Sequence, residues 1–154
     1  MKRITLLMLV LGSSVMVAMG AGKARDAEEF GKLMKDCYAA WSTLDPDNAA
    51  KFYARDADLV FYDIAPLKYD GGWQQYRDNF KNNVAPTFAT LVIAAKDDLK
   101  VTRQGKIAWT TLTFHVAAKM KDGSPMEFDG RHTLIWERRH GQWLIVHEHV
   151  SKPL

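Results

Sequence analysis

Cysteine is almost missing from this chain: Cys37 stands alone, so no intrachain disulfide can form and stability must rest on packing. Long apolar runs are missing too. The one stretch that approaches a span, Ile4 to Ala18, is broken by Gly12-Ser13-Ser14 and falls short of the roughly 20 residues a membrane helix needs. No phosphate loop, dinucleotide fingerprint or nucleophile elbow occurs, so no cofactor is expected. A surplus of one charge disappears once the start of the chain is considered. Lys2 and Arg3, the apolar run, and the small residues Gly20, Ala21, Gly22 and Ala24 read as a signal peptide over 1–24, with cleavage after Gly20 or Ala24. The full chain has 21 basic and 18 acidic residues; losing Lys2, Arg3 and Lys23 leaves 18 of each. That balance excludes a basic nucleic-acid surface. The expected product is periplasmic or secreted, with no membrane attachment after cleavage.

What is present is enough apolar and aromatic residue, 47% and 11% of the chain, to bury one core over 25–154. Asp26-Ala27-Glu28-Glu29 has the form of a capping box. Behind it Phe30, Leu33, Met34, Cys37, Tyr38, Trp41 and Leu44 recur at helical spacing and predict an amphipathic helix. Asp45-Pro46 starts a short second helix to about Tyr53. Leu59–Tyr62 reads as a strand ending at Asp63, Pro66–Gly72 as a loop, and Trp73 to about Asn83 as a third helix. From Thr87 the period changes to two. Turn signals at Gln104-Gly105, Asp122-Gly123 and His140-Gly141 divide four strands, about 88–103, 106–121, 124–139 and 142–151. Helices followed by a run of strands argue an α+β domain, helices packed on one face of a curved antiparallel sheet, with Gly130 the place for a bend.

If the turns are two-residue hairpins, His149 lies opposite His132 and His147 opposite Leu134. His132 in turn lies opposite Thr113, and Leu134 opposite Thr111. One face then gathers Trp109, Thr111, Thr113, His132, Leu134, Trp136, Trp143, His147 and His149. The other carries Leu112, Phe114, Val116 and Val150, with Arg131 and Glu148 as diagonal neighbours in an ion pair. A slip of one residue would exchange the faces.

This element order and the closing motif resemble the nuclear transport factor 2-like superfamily, specifically its SnoaL-like branch, whose members are cone-shaped α+β (cystatin-like) domains enclosing one pocket. Trp136 to Pro153 is also similar to the end of the calcium/calmodulin-dependent protein kinase II association domain. Trp136, Arg138, Arg139, Gly141, Trp143, His147, His149, Ser151 and Pro153 match it, and His140 stands where that family has Asp. In that domain arginines line an anion-accepting pocket; Thr111 and Leu134 occupy the corresponding positions here, so that anion site is not expected. Steroid-isomerase relatives place a catalytic Asp at the end of the first strand, where Asp63 stands, and a Tyr on the first helix, where Tyr38 stands. Their second acid, on the long strands, has no clear counterpart.

The expected site therefore has Asp63 as base, its carboxyl raised by an apolar wall of Phe61, Trp41 and Tyr38. Tyr38 is the hydrogen-bond donor and His147 or His149 the acid, with Trp41, Phe61, Thr111, Thr113, His132 and Leu134 around the ligand. No metal is expected; the alternative is a three-histidine site of His132, His147 and His149. The histidines also read simply as packed residues. The resulting expectation is an exported homodimeric protein that binds a small, partly apolar molecule, as a cofactor-independent isomerase or dehydratase. The alternative is a non-catalytic oligomerisation module.

Overall fold

The computed structural model describes the backbone of residues 9–153, with side chains from residue 22 onward. Most of the expected signal segment lies outside the residues whose side chains are described. Helix α1 runs Leu9–Trp41 and buries the predicted stripe of Phe30, Met34, Cys37, Tyr38 and Trp41. It does not start at the capping box: the helix passes through Asp26, whose carboxylate instead accepts from Arg103 at 2.9 Å. Helix α2 (Pro46–Ala49) is capped by Asp45, which accepts from the Asp47 N–H at 3.0 Å, with Pro46 at its first position. Among the described residues no helix is long and apolar enough to cross a membrane.

A short hairpin follows, β1 (Phe61–Tyr62) with β2 (Lys68–Tyr69), where the sequence suggested a strand and then a loop. Helix α3 (Gly72–Asn79) is shorter than expected, because the backbone widens into a π turn at Phe80–Val84 and a 3-10 turn at Ala85–Thr87 around Pro86. The sheet then forms from β3 (Phe88–Ala95), β4 (Lys100–Gln104), β5 (Ile107–Met120), β6 (Pro125–Arg139) and β7 (Gln142–Ser151). The single strand expected over 88–103 is thus two, both pairing with β5. The sheet order is β2-β1-β7-β6-β5-β3, curved and unclosed, with β1 parallel to β7 and the other pairs antiparallel. The helices cover one face, as the α+β reading expected.

Two departures from the expected register decide which side chains face the helices. The first is the β5–β6 turn. Met120 N donates to Ser124 O at 2.8 Å and Gly123 N to Met120 O at 3.0 Å, so the loop has three residues, closed by Gly123 at φ 91°. One extra residue exchanges the faces of β5. His132 therefore pairs with Leu112 and Leu134 with Thr110, not with Thr113 and Thr111. The second departure is a bulge in β7. The His140-Gly141 turn is the expected two-residue one, and Trp136 pairs with Ile145; then Ile135 pairs with His147, leaving Val146 unmatched. Beyond it His147 and His149 lie opposite Ile135 and Thr133 on the outer face, and Glu148 turns inward opposite Leu134.

Gly130 sits where Phe114 crosses β6. A Cβ built there would come within 2.2 Å of the Phe114 ring, so only glycine lets that ring lie flat on the strand. Phe114 in turn packs against Tyr38, Phe128 and His132, with ring centroids 5.9, 6.3 and 6.0 Å apart.

Candidate active site

A cavity of about 390 Å³ opens between α1, the π turn, the β1–β2 hairpin and the inner sheet face. Its wall is mostly apolar, with Phe80 and Val84 from the π turn, Leu91 and Ile93 from β3, and Phe114 and Val116 from β5.

Polar groups gather on one part of this wall. Trp41 Nε1 donates to the Tyr53 hydroxyl at 3.0 Å, and Tyr53 donates to Glu148 Oε2 at 2.7 Å. Glu148 is buried, yet a carboxylate accepting from a phenol held by an indole is a satisfied group. His132, also buried, has Nε2 3.5 Å from the same Glu148 oxygen, too far and misaligned for a hydrogen bond; that nitrogen has no partner. Its Nδ1 lies 3.0 Å from the Tyr38 hydroxyl. Burial pushes the Tyr38 and Tyr76 phenols well above their ordinary value, so both remain O–H donors. With Tyr38 donating to Nδ1, the other ring nitrogen, Nε2, is left to carry a proton; it is buried beside the cavity, 3.5 Å from Glu148 Oε2.

Asp63 completes the group. It leaves the end of β1 half-buried on the cavity wall, where its Oδ1 accepts the Ile64 N–H at 2.6 Å. Burial pushes its carboxyl up to about 6; the charge of Glu148 adds to this, and the Ile64 N–H, His132 and the Tyr76 hydroxyl oppose it. The site thus holds a carboxyl near neutrality, an imidazole with an unengaged nitrogen and protonated phenols, within an apolar enclosure.

Of the residues expected from sequence, the structure brings Asp63, Tyr38, Trp41 and His132 to this cavity. Phe61 stands behind it, edge-on to Tyr53 at 5.8 Å. Leu134 is buried in the core outside the lining. Thr111 and Thr113 lie on the outer face through the β5 exchange, and Thr113 Oγ1 donates to Asp98 at 2.8 Å. His147 and His149 are outside as well: both rings meet Tyr62 edge-on, and His147 Nδ1 donates to Val60 O at 2.7 Å. They cannot act on a molecule in the cavity, and they cannot share an ion with His132 across the sheet. Trp109 is likewise outside, while Trp136 and Trp143 pack on Phe30 at 5.6 and 5.0 Å. The expected Arg131–Glu148 pair does not form, because the two side chains are on opposite faces.

Sequence reasoning missed Glu148, Tyr53 and Tyr76 as site residues. The two tyrosines carried a signal, since they recur with Trp41 and Trp73 in one aromatic group; Tyr53 stacks on Trp73 at 4.4 Å. Glu148 carried a fainter one, as a carboxylate inside the apolar run Leu144 to Val150.

A helix layer on a curved, unclosed sheet, with a cavity between them, defines the nuclear transport factor 2-like class. Within it, this chain belongs to the SnoaL-like domain family, whose model matches residues 31–154. Solved structures agree at the level of fold. A nuclear transport factor 2-like superfamily protein from Salmonella enterica superposes with TM-score 0.76 at 19% identity, over 85% of this chain and 93% of that one. A Streptomyces avermitilis protein of the same family, described as a dehydratase, gives 0.72 at 16% identity over 86% and 99%. A Xanthomonas campestris protein, described as a calcium/calmodulin-dependent protein kinase II association domain, gives 0.68 at 23% identity over 82% and 87%. No curated protein matches the chain.

Proposed function

We propose that this protein is a cofactor-independent proton-transfer enzyme of isomerase or dehydratase type, acting on a small, partly apolar molecule. The observation that carries the reading is Asp63: a carboxyl raised to about 6 on an apolar cavity wall that also bears the unpartnered Nε2 of His132. A base with that value is ionised at neutral pH yet still basic enough to take a proton from carbon. In the proposed cycle Asp63 removes a proton from the carbon beside a carbonyl. The negative charge moves to the carbonyl oxygen, where the Nε2–H of His132 meets it. Tyr38 holds the ring in the tautomer that does so. Asp63 then returns its proton, either to a different carbon or to a departing hydroxyl, which leaves as water. The description of the Streptomyces relative as a dehydratase is consistent with this class.

The working form, in this reading, is an exported homodimer without residues 1–24. In support, the part of α1 past that segment is tied to the sheet, through Asp26 to Arg103 and through Glu29, which accepts from Trp143 at 3.1 Å. The outer sheet face leaves Ile107 and Trp109 40% and 38% exposed, an apolar surface suited to a second copy.

The test is deuterium exchange into a panel of cyclic and bicyclic ketones, 2-tetralone among them, followed by NMR. The expected result is faster exchange with the protein than in buffer, with Asp63→Asn losing about a hundredfold or more. Ligand binding without accelerated exchange of any ketone would favour the binding-module reading instead.

A further inference from the structure

The far end of the same cavity carries a feature that the acid–base group does not use. Along β7 and just beyond it, Glu148, Val150 and Lys152 all line the cavity. Four residues of extended chain cover about 13 Å, so Glu148 and Lys152 mark two ends of one wall. Lys152 is the only Lys or Arg among the lining residues. Its ammonium rests 5.5 Å from the centroid of Phe128, another wall residue, which keeps the charge over the opening. Among the described residues no carboxylate lies within 4.0 Å of it. The other polar residues at the opening are already engaged within the turn: Asn83 Nδ2 donates to Asn79 at 2.9 Å, and Thr87 Oγ1 to Val84 O at 2.7 Å. Lys152 is therefore the cation at that end, with its ammonium donors free of any carboxylate among the described residues.

We infer that the substrate is a carboxylate-bearing ring compound, whose anionic group is received by Lys152 at the opening while its reacting oxygen reaches His132 and Asp63. Between them the body of the molecule meets Phe114, Phe128, Val116 and Val150, a wall suited to a flat apolar ring system. This substrate class rests on the proton-transfer reading above. The placement also follows from charge: Asp63 and Glu148 would repel a carboxylate at the inner end, so an amphipathic acid enters in one orientation only.

The experiment compares 2-tetralone with its 6-carboxylate, measuring affinity by quenching of tryptophan fluorescence and deuterium exchange by NMR. The wild-type protein is expected to bind the acid about fivefold more tightly than the neutral ketone, the scale of one partly exposed ion pair. Lys152→Met should remove that preference and Lys152→Glu should reverse it. Raised salt should shrink the preference. Equal affinity for the two ketones in the wild-type protein, or a preference that survives Lys152→Met, overturns the inference. Failure of the proton-transfer reading shows separately, as absence of exchange in the neutral-ketone arm, because affinity is read without turnover.

Discussion

Substituting alanine at Gly130 probes the packing that shapes the cavity. The residue has ordinary extended backbone, so a side chain there meets a steric cost only. A Cβ would stand 2.2, 2.5 and 3.0 Å from three carbons of the Phe114 ring, the first two closer than real Cβ contacts come. The ring cannot retreat freely, because it is 5% exposed and held by Tyr38, Phe128 and His132. Overpacking of this kind costs about 1–3 kcal/mol. At this chain length the upper end corresponds to a fall in Tm of about 6–12 °C. Against it stands the entropy of a glycine in a strand, which alanine relieves by about 0.5–1 kcal/mol. The decisive form is a double-mutant cycle with urea unfolding as the assay. Phe114→Ala alone should cost about 3–5 kcal/mol. In that background the ring is gone, so Gly130→Ala should become neutral or mildly stabilising, a change of sign. If Gly130→Ala costs the same in both backgrounds, Phe114 is not what requires the glycine, and the reasoning fails.

Asp63 should leave a pH signature on stability. Its folded value, about 6, lies above its unfolded one, so the folded state binds more protons between pH 4 and 6 and stability falls as pH rises through that window. Asp63→Asn should therefore raise the urea midpoint at pH 7.5 and lose that advantage toward pH 4; an advantage independent of pH would point to packing instead. Because the charge of Glu148 helps hold Asp63 up, Glu148→Gln should move the inflection of the exchange rate with pH below 6. Glu148→Ala, by contrast, leaves the buried Tyr53 hydroxyl without its acceptor and should cost about 1–3 kcal/mol in urea unfolding. His147→Ala and His149→Ala should leave exchange of the neutral ketone unchanged, whereas His132→Ala should slow it; loss of exchange in His149→Ala would refute the outward placement of that strand face.

The helices were legible because a 3.6-residue stripe has one reading: Phe30, Met34, Cys37, Tyr38 and Trp41 can share a face only on a helix. Strand order was legible from the turn glycines. Parity was not. A two-residue and a three-residue loop both fit Asp122-Gly123, and they differ only in which partner Lys121 meets, so every assignment on β5 depended on one residue. In β7 the expected face holds for Trp143 and Ile145, then reverses at Val146. No hydrophobic pattern could reveal this, since Leu144 to Val146 is apolar on both faces. The regular register would place His147 and His149 inside; the observed one places Glu148 there. A buried carboxylate alone would oppose that choice by several kcal/mol. Tyr53 and Trp41, arriving from two other elements, supply the donors that make it tolerable. The bulge is thus a tertiary decision. It turns a strand that reads as a histidine wall into one that brings a carboxylate beside His132, and the local pattern misleads at the very place where the cavity acquires its chemistry.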